Sequence, residues 1–424
     1  MNNLKIKLIL SFNFITLISV YIFCLYIDIF YPFTVYLFCL FVLAFLFSSR
    51  LYICSLFNLN ILFNIALNRF YLYKYGSPYY MGGSDDLRSF EVPAQQLING
   101  FGKAMNSFEV IISIIINNPT SSNIGYIFIV AFFMKIGDYI DSYYTIVPIF
   151  FNSFILSIIS LINKEISLKY FKFSLHRSYT IMIITAIFPL IVFMNSHVFR
   201  DTLFNLTLIL SIYITVIQVR LKLLWIFSIL FSICFLRIEY LPLILFNLFI
   251  LPQYLDFSIK YYKSFKMKLL YIIIFIFSLF TILILYKYNI IEYVILRIQY
   301  YDKIRSELSG KFSNYIFKLP MYLRIPSKFI FLLINPTPSY GSVEQSYIGT
   351  GTLIQLFFTP VTFIGIYLGL ANKNYIAFVF VLLFLMIGFI SVDSRHKTFL
   401  LIIGIPLTYY GYDYLKSQYK FTLK

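Results

Sequence analysis

Long apolar runs, each about as long as a lipid bilayer is thick, recur along almost the whole chain. The clear ones are residues 8–27, 33–48, 121–136, 143–162, 179–195, 202–219, 269–287, 351–371, 375–392 and 398–414. A helix needs about 20 mostly apolar residues to cross a hydrocarbon core about 30 Å thick. Inside lipid, only helices and closed barrels satisfy every backbone N–H and C=O. Charged residues make up 12% of the 424 and hydrophobic residues 60%, whereas soluble chains carry about 25% charge. No stretch is polar enough to form a separate soluble domain. The pattern predicts an all-α polytopic integral membrane protein of about 11–13 transmembrane helices. It forms a single helical domain over 1–424, with large outer loops at 69–107 and 288–350. Residues 51–68 are ambiguous, because Asn58, Asn60, Asn64 and Asn68 line one face of that run with amides.

Charge orients the spans. The net charge is +17, from 34 Lys and Arg against 17 Asp and Glu. In a soluble chain that excess would point to nucleic acid. Here much of it sits in short loops, where it acts as a cytoplasmic retention signal, so no nucleic-acid partner is expected. Lys164, Lys169, Lys172 and Arg177 form one basic loop, Arg220 and Lys222 a second, and Lys260, Lys263, Lys266 and Lys268 a third. Lys373 and the tail with Lys416, Lys420 and Lys424 complete the set. With these inside, residues 195–201, the Arg237 region, 288–350 and 393–397 fall outside. The parity of the crossings requires 108–117 to cross partway or re-enter. Lys5 and Lys7 precede an apolar run with no small-residue cleavage site, which reads as a retained anchor. Cys24, Cys39, Cys54 and Cys234 all lie in apolar runs without a CxxC pair, so neither disulfides nor a metal site is expected.

The segment 223–251 is too long for one straight span and too short for two. A short hairpin bent at Arg237 and Glu239 fits the basic loops on either side. Irregular backbone at membrane depth needs protein or a water-filled cavity around it, and charge at that depth is costly enough to be a functional signal. Arg237 and Glu239 therefore stand out, as do Arg200 and Asp201 at the outer junction of two spans. An arginine at a span end can also simply snorkel to the interface.

The first outer loop reads Gly82-Gly83-Ser84-Asp85-Asp86-Leu87-Arg88. Paired glycines permit a tight turn, and one of two adjacent carboxylates raises the pKa of the other, which suits a general base. The plain alternative is a solvated turn. The second outer loop carries Arg297, Lys303, Arg305, Lys311, Lys318, Arg324 and Lys328. Positive charge outside runs against the topology rule and suggests an anionic ligand or anionic headgroups. Asp393-Ser394-Arg395-His396-Lys397 joins the last two spans, and Arg395 with Lys397 suits a phosphate. The shared outer position of Asp85, Asp86, Arg200, Arg237 and Arg395 fits a cavity for a polyprenyl diphosphate. There, arginines stabilise the leaving group and a carboxylate deprotonates an acceptor hydroxyl.

A GGSDD loop, the Arg200-Asp201 pair at the head of a mid-chain span, the Asn335-Pro336-Thr337-Pro338 turn and Arg395-x-Lys397 before the final span resemble bacterial surface-polysaccharide enzymes. The likeness is greatest to the O-antigen or repeat-unit polymerases (Wzy). That resemblance implies a glycosyltransferase-type enzyme of the bacterial inner membrane, acting at its periplasmic face. It would transfer a growing O-antigen or capsule glycan from undecaprenyl diphosphate onto the next lipid-linked unit. Asp85 and Asp86 would be catalytic. Arg88, Arg200, Asp201, Arg237, Glu239, Arg305, Arg395 and Lys397 would bind substrate and diphosphate. The implied partners are the undecaprenyl-diphosphate-linked glycan, membrane lipid and a chain-length regulator, with no cofactor. The chain is also similar to GT-C glycosyltransferases, whose first outer loop carries an acidic pair; that likeness would bring in a divalent cation. A third expectation, from another class, is a flippase for the lipid-linked unit. The absence of a visible internal repeat favours an enzyme over a transporter.

Overall fold

The computed structural model describes residues 3–46, 50–79, 87–102, 124–217, 222–237, 240–254, 315–316, 318–334, 343–390 and 394–422. All regular structure among them is helical. Among the described residues, four helices are long and apolar enough to cross a membrane alone: Ile6–Ile27, Leu51–Tyr75, Ile146–Lys169 and Glu344–Ala371. The bent pair Leu175–Ile187 and Pro189–Asn195 passes the same test of length and hydropathy when its two helices are taken together, and five shorter apolar helices accompany them. Large side chains such as Phe41, Phe45, Phe227, Phe231 and Phe357 are exposed, which only an apolar solvent tolerates at this density. The chain is a multi-pass α-helical membrane protein. The expected runs at 108–117 and 269–287 lie outside the described residues.

The helices form two compact units, residues 1–242 and 243–424. The first contains α1 (Asn3–Ile27), α2 (Tyr31–Leu46), α3 (Arg50–Tyr75), a π turn (Leu87–Glu91) leading into α4 (Val92–Gly102), and α5 (Ile124–Ile140). It continues with α6 (Ile146–Lys169), α7 (Leu175–Ile187), α8 (Pro189–Asn195), α9 (Asp201–Val216) and α10 (Lys222–Leu236). The ambiguous run 51–68 turns out to be a central helix. Its amides are buried rather than wet: Asn58 Oδ1 accepts from Tyr36 at 3.0 Å, and Asn58 Nδ2 donates to Asn13 at 2.8 Å. Asn64 donates to Ser153 at 2.7 Å, and Asn68 accepts from Tyr144 at 3.2 Å. In lipid there is no hydrophobic force between helices, so interhelical hydrogen bonds of this kind hold them together. The amide face that made the run look doubtful is its packing face.

Pro189 splits the span expected at 179–195. It has no N–H to continue α7 and forces Phe188 into extended backbone (φ −60°, ψ 123°). α7 and α8 meet at 50°. Every residue from Leu190 to Asp201 is buried. The 195–201 junction is therefore enclosed within the first unit.

The second unit contains the remainder of α11, which begins at Leu241, carries a π turn at Phe246–Ile250 and ends at Tyr254. α12 (Met321–Ile334), α13 (Val343–Ala371), α14 (Tyr375–Ile390) and α15 (Ser394–Thr422) follow. Asn374 caps α14, its Oδ1 accepting from the Ile376 and Ala377 N–H groups at 3.0 and 3.3 Å. α13 and α15 lie backbone to backbone. A Cβ on Gly365 would meet the Leu407 carbonyl oxygen at 2.0 Å, and one on Gly411 the Val361 carbonyl oxygen at 2.2 Å. Small residues at such crossings let membrane helices approach closely. Of the 69–107 and 288–350 loops, the described parts are substantially helical, since α3 runs on to Tyr75 and α13 starts at Val343.

Candidate functional site

α9 and α10 have 16 and 15 residues. At 1.5 Å per residue the described length of each is less than a hydrocarbon core of about 30 Å. They run antiparallel, so the start of α9 and the end of α10 come together. Three of the expected charged residues meet there: Arg200, Asp201 and Arg237.

Asp201 occupies the first turn of α9, where unpaired N–H groups favour a carboxylate. Arg237 follows the last turn of α10, where orphan carbonyls favour a cation. Its guanidinium donates to Asp201 Oδ1 at 2.5 Å, and the two side chains are 6% and 4% exposed. Arg200 Nη1 donates to the Leu236 carbonyl oxygen at 2.9 Å, so it closes the end of α10. The Arg237 guanidinium also lies over the rings of Phe204 and Tyr240, 5.7 and 5.9 Å from their centroids. Two guanidinium groups against one carboxylate leave this trio with net positive charge. Taken alone, the same contacts also serve as caps for two short helices.

α6 holds the 195–200 segment in place. Asn152 Nδ2 donates to the carbonyl oxygens of His197 and Phe199 at 3.0 and 3.2 Å. Thr202 donates to Asn195 Oδ1 at 3.1 Å, and Asn195 donates to Ser153 at 3.2 Å. His197 Nδ1 lies 2.7 Å from the Phe193 carbonyl oxygen and Nε2 3.0 Å from the Tyr71 hydroxyl. The ring stacks on Phe199, its centroid 5.2 Å away. His197 is thus fully engaged by protein groups, and the polar network fixes where Arg200 begins.

Not every expected residue falls into this group. Asp85, Asp86, Glu239 and Arg305 lie outside the described residues. The backbone of Arg88 belongs to the π turn and that of Arg395 to the first turn of α15, but their side chains are outside the described set. Lys397 belongs to the second unit, where it is buried and donates to the Leu333 carbonyl oxygen at 2.7 Å. Among the second-loop cations, Lys318 is exposed, Arg324 half-buried and Lys328 buried.

One carboxylate was missed by sequence reasoning. Glu91, at the end of the π turn, is 3% exposed. Its Oε1 accepts from the Tyr143 hydroxyl at 2.5 Å, and its Oε2 accepts from the Tyr79 hydroxyl. Burial pushes its carboxyl above the ordinary glutamate value, and the tyrosine hydroxyls oppose that shift only in part. Burial and the neighbouring Glu91 likewise push the Tyr143 phenol well up. In the sequence, Glu91 sits in Phe90-Glu91-Val92 without any pattern to separate it from an ordinary loop acid. Among the described residues no group of three or more His, Cys, Asp or Glu side chains is placed to hold a metal ion.

The fold and this site define a multi-pass helical membrane protein with a buried, net-cationic trio at the meeting ends of two short helices. No known protein family, curated protein or solved structure matches the chain.

Proposed function

We propose that this protein is a polymerase of undecaprenyl-diphosphate-linked oligosaccharide repeat units, working at the periplasmic face of the bacterial inner membrane. The observation that carries the reading is the trio Arg200, Asp201 and Arg237, buried where the start of one short apolar helix meets the end of another. Charge inside a membrane protein is a functional signal, and a diphosphate headgroup is a ligand that paired guanidinium groups complement. Arginine suits that task because its planar fork pairs two oxygens at once. In the proposed reaction the acceptor sugar hydroxyl attacks the anomeric carbon of the donor. The bond to the diphosphate breaks, and the arginines stabilise the charge that develops on the leaving group. The same reading also gives roles towards the substrate to Asp85, Asp86, Arg88, Arg305, Arg395 and Lys397.

The test is a glycan gel from a strain lacking the gene. A ladder reduced to a single capped repeat supports the polymerase. Loss of every repeat points instead to a GT-C-type transferase or to a flippase, and an unchanged ladder overturns the reading.

A further inference from the structure

We propose that Glu91 is the final proton acceptor for the incoming sugar hydroxyl, reached through the hydroxyl of Tyr79. This role rests on the polymerase reading above.

Three observations point there. First, the Glu91 carboxylate is enclosed by two tyrosine hydroxyls, one on each oxygen. Its environment consists of burial and hydroxyl donors, with no cation among the described residues acting on it. Burial without a neighbouring cation disfavours the charged form of a carboxylate, which gives one held by hydroxyls a drive to take up a proton. Second, Glu91 adjoins the trio's support. Phe90 packs edge-on against Tyr126, with ring centroids 5.1 Å apart, and the Tyr126 hydroxyl lies 3.1 Å from Asn152 Nδ2. That amide holds the carbonyls of His197 and Phe199, directly before Arg200. Third, Tyr79 is half-buried while Glu91 is buried, so Tyr79 is the group of the pair that a substrate can touch.

The step balances. The acceptor hydroxyl gives its proton to the Tyr79 oxygen as Tyr79 passes its own to Glu91 Oε2. The hydroxyl oxygen uses its electron pair to bond the anomeric carbon, and the diphosphate leaves with the pair from the broken C–O bond. Tyr79 ends as it began, and Glu91 later returns the proton to water by the same route. Tyr79 is the catalytic contact; Glu91 acts through it.

The experiment uses the full chain with E91Q, E91D and Y79F. Polymer is read on a glycan gel from complemented cells. Lipid binding is read with undecaprenyl diphosphate in phosphatidylethanolamine–phosphatidylglycerol vesicles. Infrared pH titration of the purified protein reads the protonated carboxyl band. The expected result is a polymer yield lowered about 100-fold in E91Q, the scale of a lost general base, with lipid binding retained. E91D recovers part of the yield, Y79F is impaired, and E91Q lacks a carboxyl band that titrates above the ordinary glutamate range. A normal ladder from E91Q overturns the role of Glu91 and leaves the polymerase reading standing. Parallel loss of polymer and of lipid binding in E91Q also overturns it, by showing that Glu91 only supports the fold. A gene deletion that leaves the glycan unchanged removes the polymerase reading and this role together.

Discussion

Arg237 and Asp201, 36 positions apart in the chain, meet in a buried ion pair of 2.5 Å that ties the end of α10 to the start of α9. Each side chain also sits at the helix terminus whose dipole suits its charge. Removing one partner leaves the other charge buried without its counter-ion, at a cost of about 3–5 kcal/mol. Arg237→Ala and Asp201→Ala are each expected to lower the thermal stability of the detergent-solubilised protein by that much. The double variant Arg237→Met with Asp201→Leu should recover most of it, because apolar pairs of similar volume often replace buried ion pairs at little cost. Additive losses in the double variant would show that the two side chains are not coupled.

Asn152 is the second control point. Asn152→Leu deprives the buried carbonyls of His197 and Phe199 of their shared donor, and each unpaired group costs about 1–3 kcal/mol. The stability loss should therefore exceed that of Asn152→Ser, which keeps a short donor. Equal melting temperatures for wild type and Asn152→Leu would contradict this arrangement.

Glu91 predicts an unusual pH dependence. Its folded-state pKa is raised by burial, so the folded protein holds this proton more tightly than the unfolded chain. The stabilisation is complete below the unfolded value of about 4.3 and is lost as pH rises through the folded value. E91Q, which never ionises, should therefore melt higher than wild type under alkaline conditions and match it near pH 4. Melting curves across pH decide the point, and a lower E91Q melting temperature at alkaline pH would reverse the assigned sign.

The α13–α15 contact gives a test in the second unit. Gly365→Ala and Gly411→Ala put a methyl group within 2.0 and 2.2 Å of carbonyl oxygens on the facing backbone. Rigid backbone cannot yield as a side chain can, so each should cost at least about 1–3 kcal/mol. Gly404→Ala is the control: its nearest neighbour is the Phe380 ring at 3.2 Å, and a small ring shift accommodates it. Indistinguishable melting for all three would rule out the close approach.

Much of the helical layout was legible because hydropathy along a chain is a local quantity. The run at 143–162 became α6 and the run at 375–392 became α14, each within a few residues to either side, except that α6 continues to Lys169. The break at Arg237 was legible for the same reason, since a lone arginine in a long apolar run is visible without any partner. Local pattern also misled where polarity was read as exposure. The asparagines of α3 look like a solvated face in one dimension and are a packing face in three.

What the sequence determined by itself is the solvent: so much apolar surface and so little charge can fold only in lipid, as helices. Tertiary structure alone decided which polar groups share a place. Glu91 draws its two hydroxyls from Tyr79 and from Tyr143, 12 and 52 positions away, and Arg200 caps a helix that ends 36 positions later. Such partners are chosen by how separate helices pack and by the bend at Pro189. A buried carboxylate and a wet one are the same letter until that packing removes the water from around one of them.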